Sequence, residues 1–107
     1  LLAQRWRLVL DRWPPGRIVA SPVSPLLAVE AVRVFDRHGA ATALAPDLVR
    51  LLRGDPPRIA VETAPEPGLP AEGIEIDVVA GFGPAPADTP EPLSQAVRLL
   101  VARWSEN

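Results

Sequence analysis

Residues 81–107 read GFGPAPADTPEPLSQAVRLLVARWSEN, and the fold expected of the whole chain turns on this stretch. From Leu93 onward Leu93, Ala96, Val97, Leu100, Val101 and Trp104 recur at helical spacing, forming one apolar stripe. Thr89 suits the N-cap, and Pro90 suits the first helical position, where its missing N–H costs nothing. Pro92 still falls in the first turn, among donors without an intrahelical partner. Glu91 lies near the positive end of the dipole, Arg98 and Arg103 towards the negative end. The spacing predicts an amphipathic helix over 93–106, preceded by a Pro-rich loop over 84–92. Its core face would be Leu93, Val97, Leu100, Val101 and Trp104. A helix of this length is marginal alone in water and must dock on something. The remaining face is thinly polar and offers Arg98, Leu99, Ala102 and Arg103 as a candidate interface. Core packing alone and core packing plus an intermolecular contact are both open.

Upstream, residues 1–83 read as a β-rich part of the same domain. Arg5 to Trp13 alternates, with Trp6, Leu8 and Leu10 on one side and Arg5, Arg7, Val9 and Asp11 on the other, the pattern of a half-buried strand. Pro14-Pro15-Gly16 turns the chain into a short strand over 17–20. The segment 24–44 is contested. Ser24, Pro25 and Gly39 sit where a helix would be capped. Val29, Val32, Val34 and Phe35, with Asp36-Arg37-His38-Gly39 as a hairpin loop onto 41–44, favour strands instead. Residues 47–53 are ambiguous, and 58–62 read as a strand. The Pro/Gly/Glu loop over 63–72 looks too polar to pack. Gly73 to Ala80 is the clearest strand, with Ile74, Ile76 and Val78 inward and Glu75, Asp77 and Val79 on the other side. Six or seven short strands followed by one helix predict an α+β fold: a small antiparallel sheet or sandwich closed by a C-terminal amphipathic helix.

The totals fit one domain. The 107 residues are 48% apolar and 22% charged, ordinary for a globular chain with a modest core. Fourteen prolines and seven glycines favour short elements over long helices. No apolar run is long enough to span a membrane as a helix, and the mixed opening LLAQRWRLVL does not resemble a signal peptide. The chain opens on Leu1 almost inside a strand, as a portion of a longer protein would. With no cysteine, disulfides and thiolate metal sites are excluded. The net charge is −2, but residues 1–58 hold nine Arg against five acids (+4), and 59–107 hold two Arg against eight acids (−6). Opposite halves could meet between copies, or simply form two mixed surfaces of one monomer.

Motifs for chemistry are absent. His38 is the lone histidine, in a predicted turn beside Asp36, and no nucleophile-elbow pattern surrounds Ser21, Ser24 or Ser94. Scattered carboxylates lack a metal-loop signature. Glu72, Glu75 and Asp77 read as the wet side of a strand. Gly81-Phe82-Gly83 lacks the third glycine of a dinucleotide turn. Arg5, Arg7, Arg12 and Arg17 interleave with Trp6 and Trp13, as in a single-strand binder. Alternation, however, puts Trp6 opposite the arginines and in the core. No catalytic, cofactor-binding or metal-binding residue is predicted, and the chain reads as a non-enzyme.

The run Val79-Ala80-Gly81-Phe82-Gly83, then Thr89-Pro90-Glu91-Pro92-Leu93, then Gln95 through Asn107 resembles the closing segment of head–tail connector (adaptor) proteins of long-tailed bacteriophages, prophages and gene transfer agents. Gln4-Arg5-Trp6, Leu10-Asp11-Arg12-Trp13-Pro14, Ser21-Pro22-Val23, Val34-Phe35-Asp36 with Gly39, and Pro57-Arg58-Ile59 follow that family's order. Arg103 stands where His is usual and Ser105 where Tyr is usual, and the family's upstream helices are absent from this chain. The resemblance implies a structural virion protein: a homo-oligomeric ring, usually a dodecamer, beneath the portal in the neck of a virion or phage-like particle. Such a ring is assembled in the bacterial cytoplasm and extends the DNA channel towards a stopper or tail-side connector protein. DNA would pass without sequence-specific binding, and no cofactor or membrane is implied. The alternative is a small cellular protein-binding module or regulatory subunit without catalysis.

Overall fold

A computed structural model describes residues 4–23, 25–54 and 56–81, together with the backbone of 98–101. Eight strands occur among them: β1 (Gln4–Leu10), β2 (Ile18–Ala20), β3 (Leu26–Phe35), β4 (Ala41–Ala43), β5 (Val49–Leu52), β6 (Arg58–Val61), β7 (Ile74–Ala80) and β8 (Arg98–Val101). They form two antiparallel sheets, one of five strands in the order β4-β3-β7-β1-β8 and one of three in the order β2-β6-β5.

Both sheets contribute to a single core. Trp6, Leu8 and Leu10 of β1, Val32 and Val34 of β3, and Ile74, Ile76 and Val78 of β7 meet Val19, Ile59 and Val61 from the small sheet. The period of two in β1 and β7 dictates this, because only alternate residues reach the same side of a pleat. Leu8, Leu10, Ile59, Ile74 and Ile76 are among the side chains that are fully buried. Each large aliphatic contributes about 1.5–3 kcal/mol through removal from water. Trp13 is buried as well, and its Nε1–H donates to Pro65 O at 3.0 Å.

The contested segment is a strand, and its helical look has a structural cause. Register with β7 slips twice, between Leu26 and Ala28 and between Val29 and Ala31. Each slip is a bulge that adds one residue, so inward positions fall at Leu26, Val29 and Val32 before the period of two resumes at Val34. Spacing by threes on a bulged strand imitates a helix. The Asp36–Gly39 turn joins β3 to β4. Asp36 Oδ1 accepts from the His38 and Ala40 amides, and Gly39 adopts φ +83°.

The terminal helix is the main correction. Arg98–Val101, the middle of the predicted helix, is strand β8, pairing antiparallel with β1 so that Trp6 stands opposite Val101, Arg7 opposite Leu100, Leu8 opposite Leu99 and Val9 opposite Arg98. The only helical turns among the described residues are two short 3-10 turns, Pro15–Arg17 and Pro46–Leu48. The fold is therefore built from two antiparallel sheets rather than a sheet capped by an amphipathic helix. The physical reason is β1. Once β7 takes one side of it, its other row of N–H and C=O groups needs a partner, and β8 supplies it. A short helix has no comparable gain until it docks. Leu93, Val97, Ala102, Arg103 and Trp104, with the Pro-rich loop, lie outside the described residues.

The 63–72 loop, expected not to pack, is held at several points. Ala64 rests on the core, Pro65 O receives Trp13 Nε1–H, and Gly68 N–H donates to Phe35 O at 2.9 Å. A Cβ on Gly68 would collide with the backbone nitrogen of Arg37, so this close approach requires glycine.

Candidate functional site

The side of the large sheet facing away from the shared core carries a ladder of charge. Alternation in β1 and β7 sends Arg5 and Arg7, Glu75 and Asp77 to this side, and register places Arg7 opposite Asp77. On the other flank of β7, Arg33 of β3 stands opposite Glu75. Arg7 Nε donates to Asp77 Oδ1 at 2.8 Å, and Arg7 Nη2 to Asp77 Oδ2 at 3.3 Å. Arg33 Nη2 donates to the same Oδ2, while its Nε reaches Glu75 Oε1 at 3.3 Å. Arg7 Nε also lies 3.7 Å from Glu75 Oε1. One guanidinium from each outer strand thus grips the two carboxylates of the strand between them.

Burial makes this more than a surface pairing. The Asp77 side chain is only 8% exposed, against 29% for Arg7 and 25% for Arg33. Burial pushes the Asp77 carboxyl up, but hydrogen bonds from Arg7 and Arg33 and their charges outweigh it, holding the group below the usual carboxylate range. The hydrogen bond to Asp77 raises Arg7 in return, against the opposing effect of burial, with the Asp77 and Glu75 charges adding to the rise. A second pair flanks the ladder, Arg5 Nε to Glu30 Oε1 at 3.0 Å. Glu30 can reach across because it is the extra residue of the second bulge in β3.

Glu75 and Asp77 are therefore ion-paired rather than simply wetted. The sequence showed acids alternating on one strand and arginines on another, but only the β1–β7 and β3–β7 register brings them together. The ladder also joins the basic first half to the acidic second half within one molecule. Part of the charge asymmetry is spent inside the chain.

Other singled-out residues have local duties. Arg17, at φ +56°, donates from Nε to Val61 O at 3.2 Å and from Nη2 to Glu62 O at 2.6 Å, tying the turn before β2 to the end of β6. Ser21 is buried and exchanges hydrogen bonds with Val23. His38 is exposed in its turn. Trp6 and Trp13 are buried, so neither offers a stacking face. Among the described residues no group of three metal-capable side chains converges, and no helix is long and apolar enough to cross a membrane. Of the candidate interface, Arg98 and Leu99 fall on β8, at the outer edge of the large sheet; Ala102 and Arg103 lie outside the described residues. Searches against protein-family models, curated proteins and solved structures find no match to this chain.

Proposed function

We propose that the chain is a non-enzymatic structural adaptor, a head–tail connector that joins copies of itself into a ring between a portal protein and a stopper or tail-side protein. The observation that carries the reading is the ordered signature from Val79 to Asn107, with its weaker companions upstream in the same order. The geometry is compatible with such a part. Arg7, Arg33, Glu75 and Asp77 cross-brace three strands of one sheet, and their charges are consumed by one another instead of converging on an open cleft. The centre of the signature, Arg98–Val101, is paired into that same sheet, as suits a fixed structural element. Among the described residues β8 is the outermost strand of its sheet, and in a ring its backbone edge is one place where a neighbour can add.

Electron microscopy of the purified particle's neck tests this. The expected result is ring density beneath the portal that accommodates the two sheets. A chain found only as a monomer, unable to associate with portal, overturns it. Neighbouring genes for portal, protease and major capsid proteins separate this role from that of a cellular binding module.

A further inference from the structure

The small sheet has its own outward side, and that side differs from the ladder. Core packing takes Val19, Val49, Leu51, Ile59 and Val61, so alternation sends Ile18, Ala20, Arg50, Leu52, Arg58 and Ala60 away from the core. Ile18 is 39% exposed, large for an isoleucine. Arg50 and Arg58 are exposed, and exposed Arg53 follows in the next turn. No carboxylate among the described residues pairs with these three arginines, unlike those of the ladder. Ile18, Ala20, Leu52 and Ala60 interleave on this face with Arg50 and Arg58, a mixed apolar and arginine make-up that suits protein docking better than a phosphate track.

Charge points to what covers it. The chain carries −2 in total, so without Arg50, Arg53 and Arg58 the rest carries −5. A second copy is thus an acidic partner by composition. Its most suitable acidic element is the loop that leaves β6, where Glu62 and Glu66 are exposed and have no ion pair among the described residues. This loop is already held in place through Pro65 O and Gly68 N–H, which lowers the ordering cost of docking. We infer that the outward face of the small sheet, centred on Arg50 and Arg58, receives the Glu62–Glu66 segment of a second copy of this chain. The arginines that receive and the carboxylates that dock are different residues, so the contact can repeat head to tail and generate a ring or a filament. Its biological setting rests on the adaptor reading, while the contact itself can be measured without it.

Sedimentation velocity on the full chain tests the contact. The wild type should associate between about 10 μM and about 1 mM in low salt, with Kd rising about tenfold or more near 0.5 M salt. Arg50→Glu/Arg58→Glu should weaken association on the order of 100-fold, and Glu62→Arg/Glu66→Arg should do the same. Mixing the two variants should restore association, because each again finds an opposite charge. Circular dichroism checks folding; if charge reversal disrupts the fold, Arg50→Gln/Arg58→Gln replaces it, with a loss of about tenfold expected. A wild type monomeric to about 1 mM, a face variant that associates normally, or a mixture that stays apart overturns the inference. Association only with an unrelated acidic protein also overturns the choice of a second copy. A chain seen in the neck whose face variant still forms rings refutes this contact alone. A chain that associates through this face but is missing from particles refutes the adaptor role alone.

Discussion

Replacing Asp77 by alanine should cost about 3 kcal/mol of stability. Two unit charges about 4 Å apart interact by about 4 kcal/mol at the effective dielectric suited to sites near a protein surface. Asp77 makes two such contacts, with Arg7 and with Arg33. The cost of desolvating a carboxylate only 8% exposed opposes them, and the exposure of Arg7 (29%) and Arg33 (25%) lets water screen them. About 1–2 kcal/mol net per pair is then left. Removing the carboxylate also leaves two half-buried guanidiniums beside Glu75 alone. Urea denaturation near pH 7 reads the loss, with m unchanged if the unfolded state is unaffected. A double-mutant cycle joining Asp77→Ala to Arg33→Ala should return a coupling of about 1–2 kcal/mol. A loss below about 1 kcal/mol, or coupling near zero, would refute the claim that the ladder binds the three strands.

Acid should act through the same group. Asp77 is held below its ordinary value of 3.8 when folded, so the unfolded chain takes up this proton first. Stability from Asp77 is present above that value and is lost as pH falls through it towards the lower folded value, so the gap between wild type and Asp77→Asn should narrow from about pH 7 to about pH 3; a constant gap contradicts this. Gly68→Ala forces a Cβ into the Arg37 backbone and should destabilise by about 1–3 kcal/mol, measured by urea midpoint. Leu8→Ala empties a fully buried site and should cost about 2–5 kcal/mol by the same assay. Solution NMR should show cross-strand contacts between Arg98–Val101 and Trp6–Val9; strong sequential amide–amide contacts through Arg98–Val101 would restore the helix.

Much of the β architecture was legible wherever one face alone is buried. Ile74, Ile76 and Val78 alternate strictly and take their expected inward places, as do Trp6 and Leu8. In β3 the two bulges set Leu26, Val29 and Val32 three apart, and periodicity alone cannot separate that from a helix. The stretch around Leu100 failed for a different reason. Its spacing and caps are helical by every local rule, but an open edge on β1 is a tertiary fact with no local trace. The ladder was hidden in the same way. Arg7 and Asp77 each looked like an ordinary solvent-facing charge, and their meeting depends on register between distant strands. The hint was present in the opposite signs of the two halves, which settle against each other partly within one chain.

The pairing of β1 with β7 also bears on how the molecule comes into being. Arg7 and Asp77 are 70 positions apart, and β1 lies between β7 and a strand later still. A chain emerging from the ribosome therefore holds its first strand without neighbours until most of the sequence has been made. Such non-local closure slows folding. Meanwhile Trp6, Leu8 and Leu10 lack the cover that Ile74, Ile76 and Val78 complete, so synthesis is a stage at which apolar surface is open to aggregation.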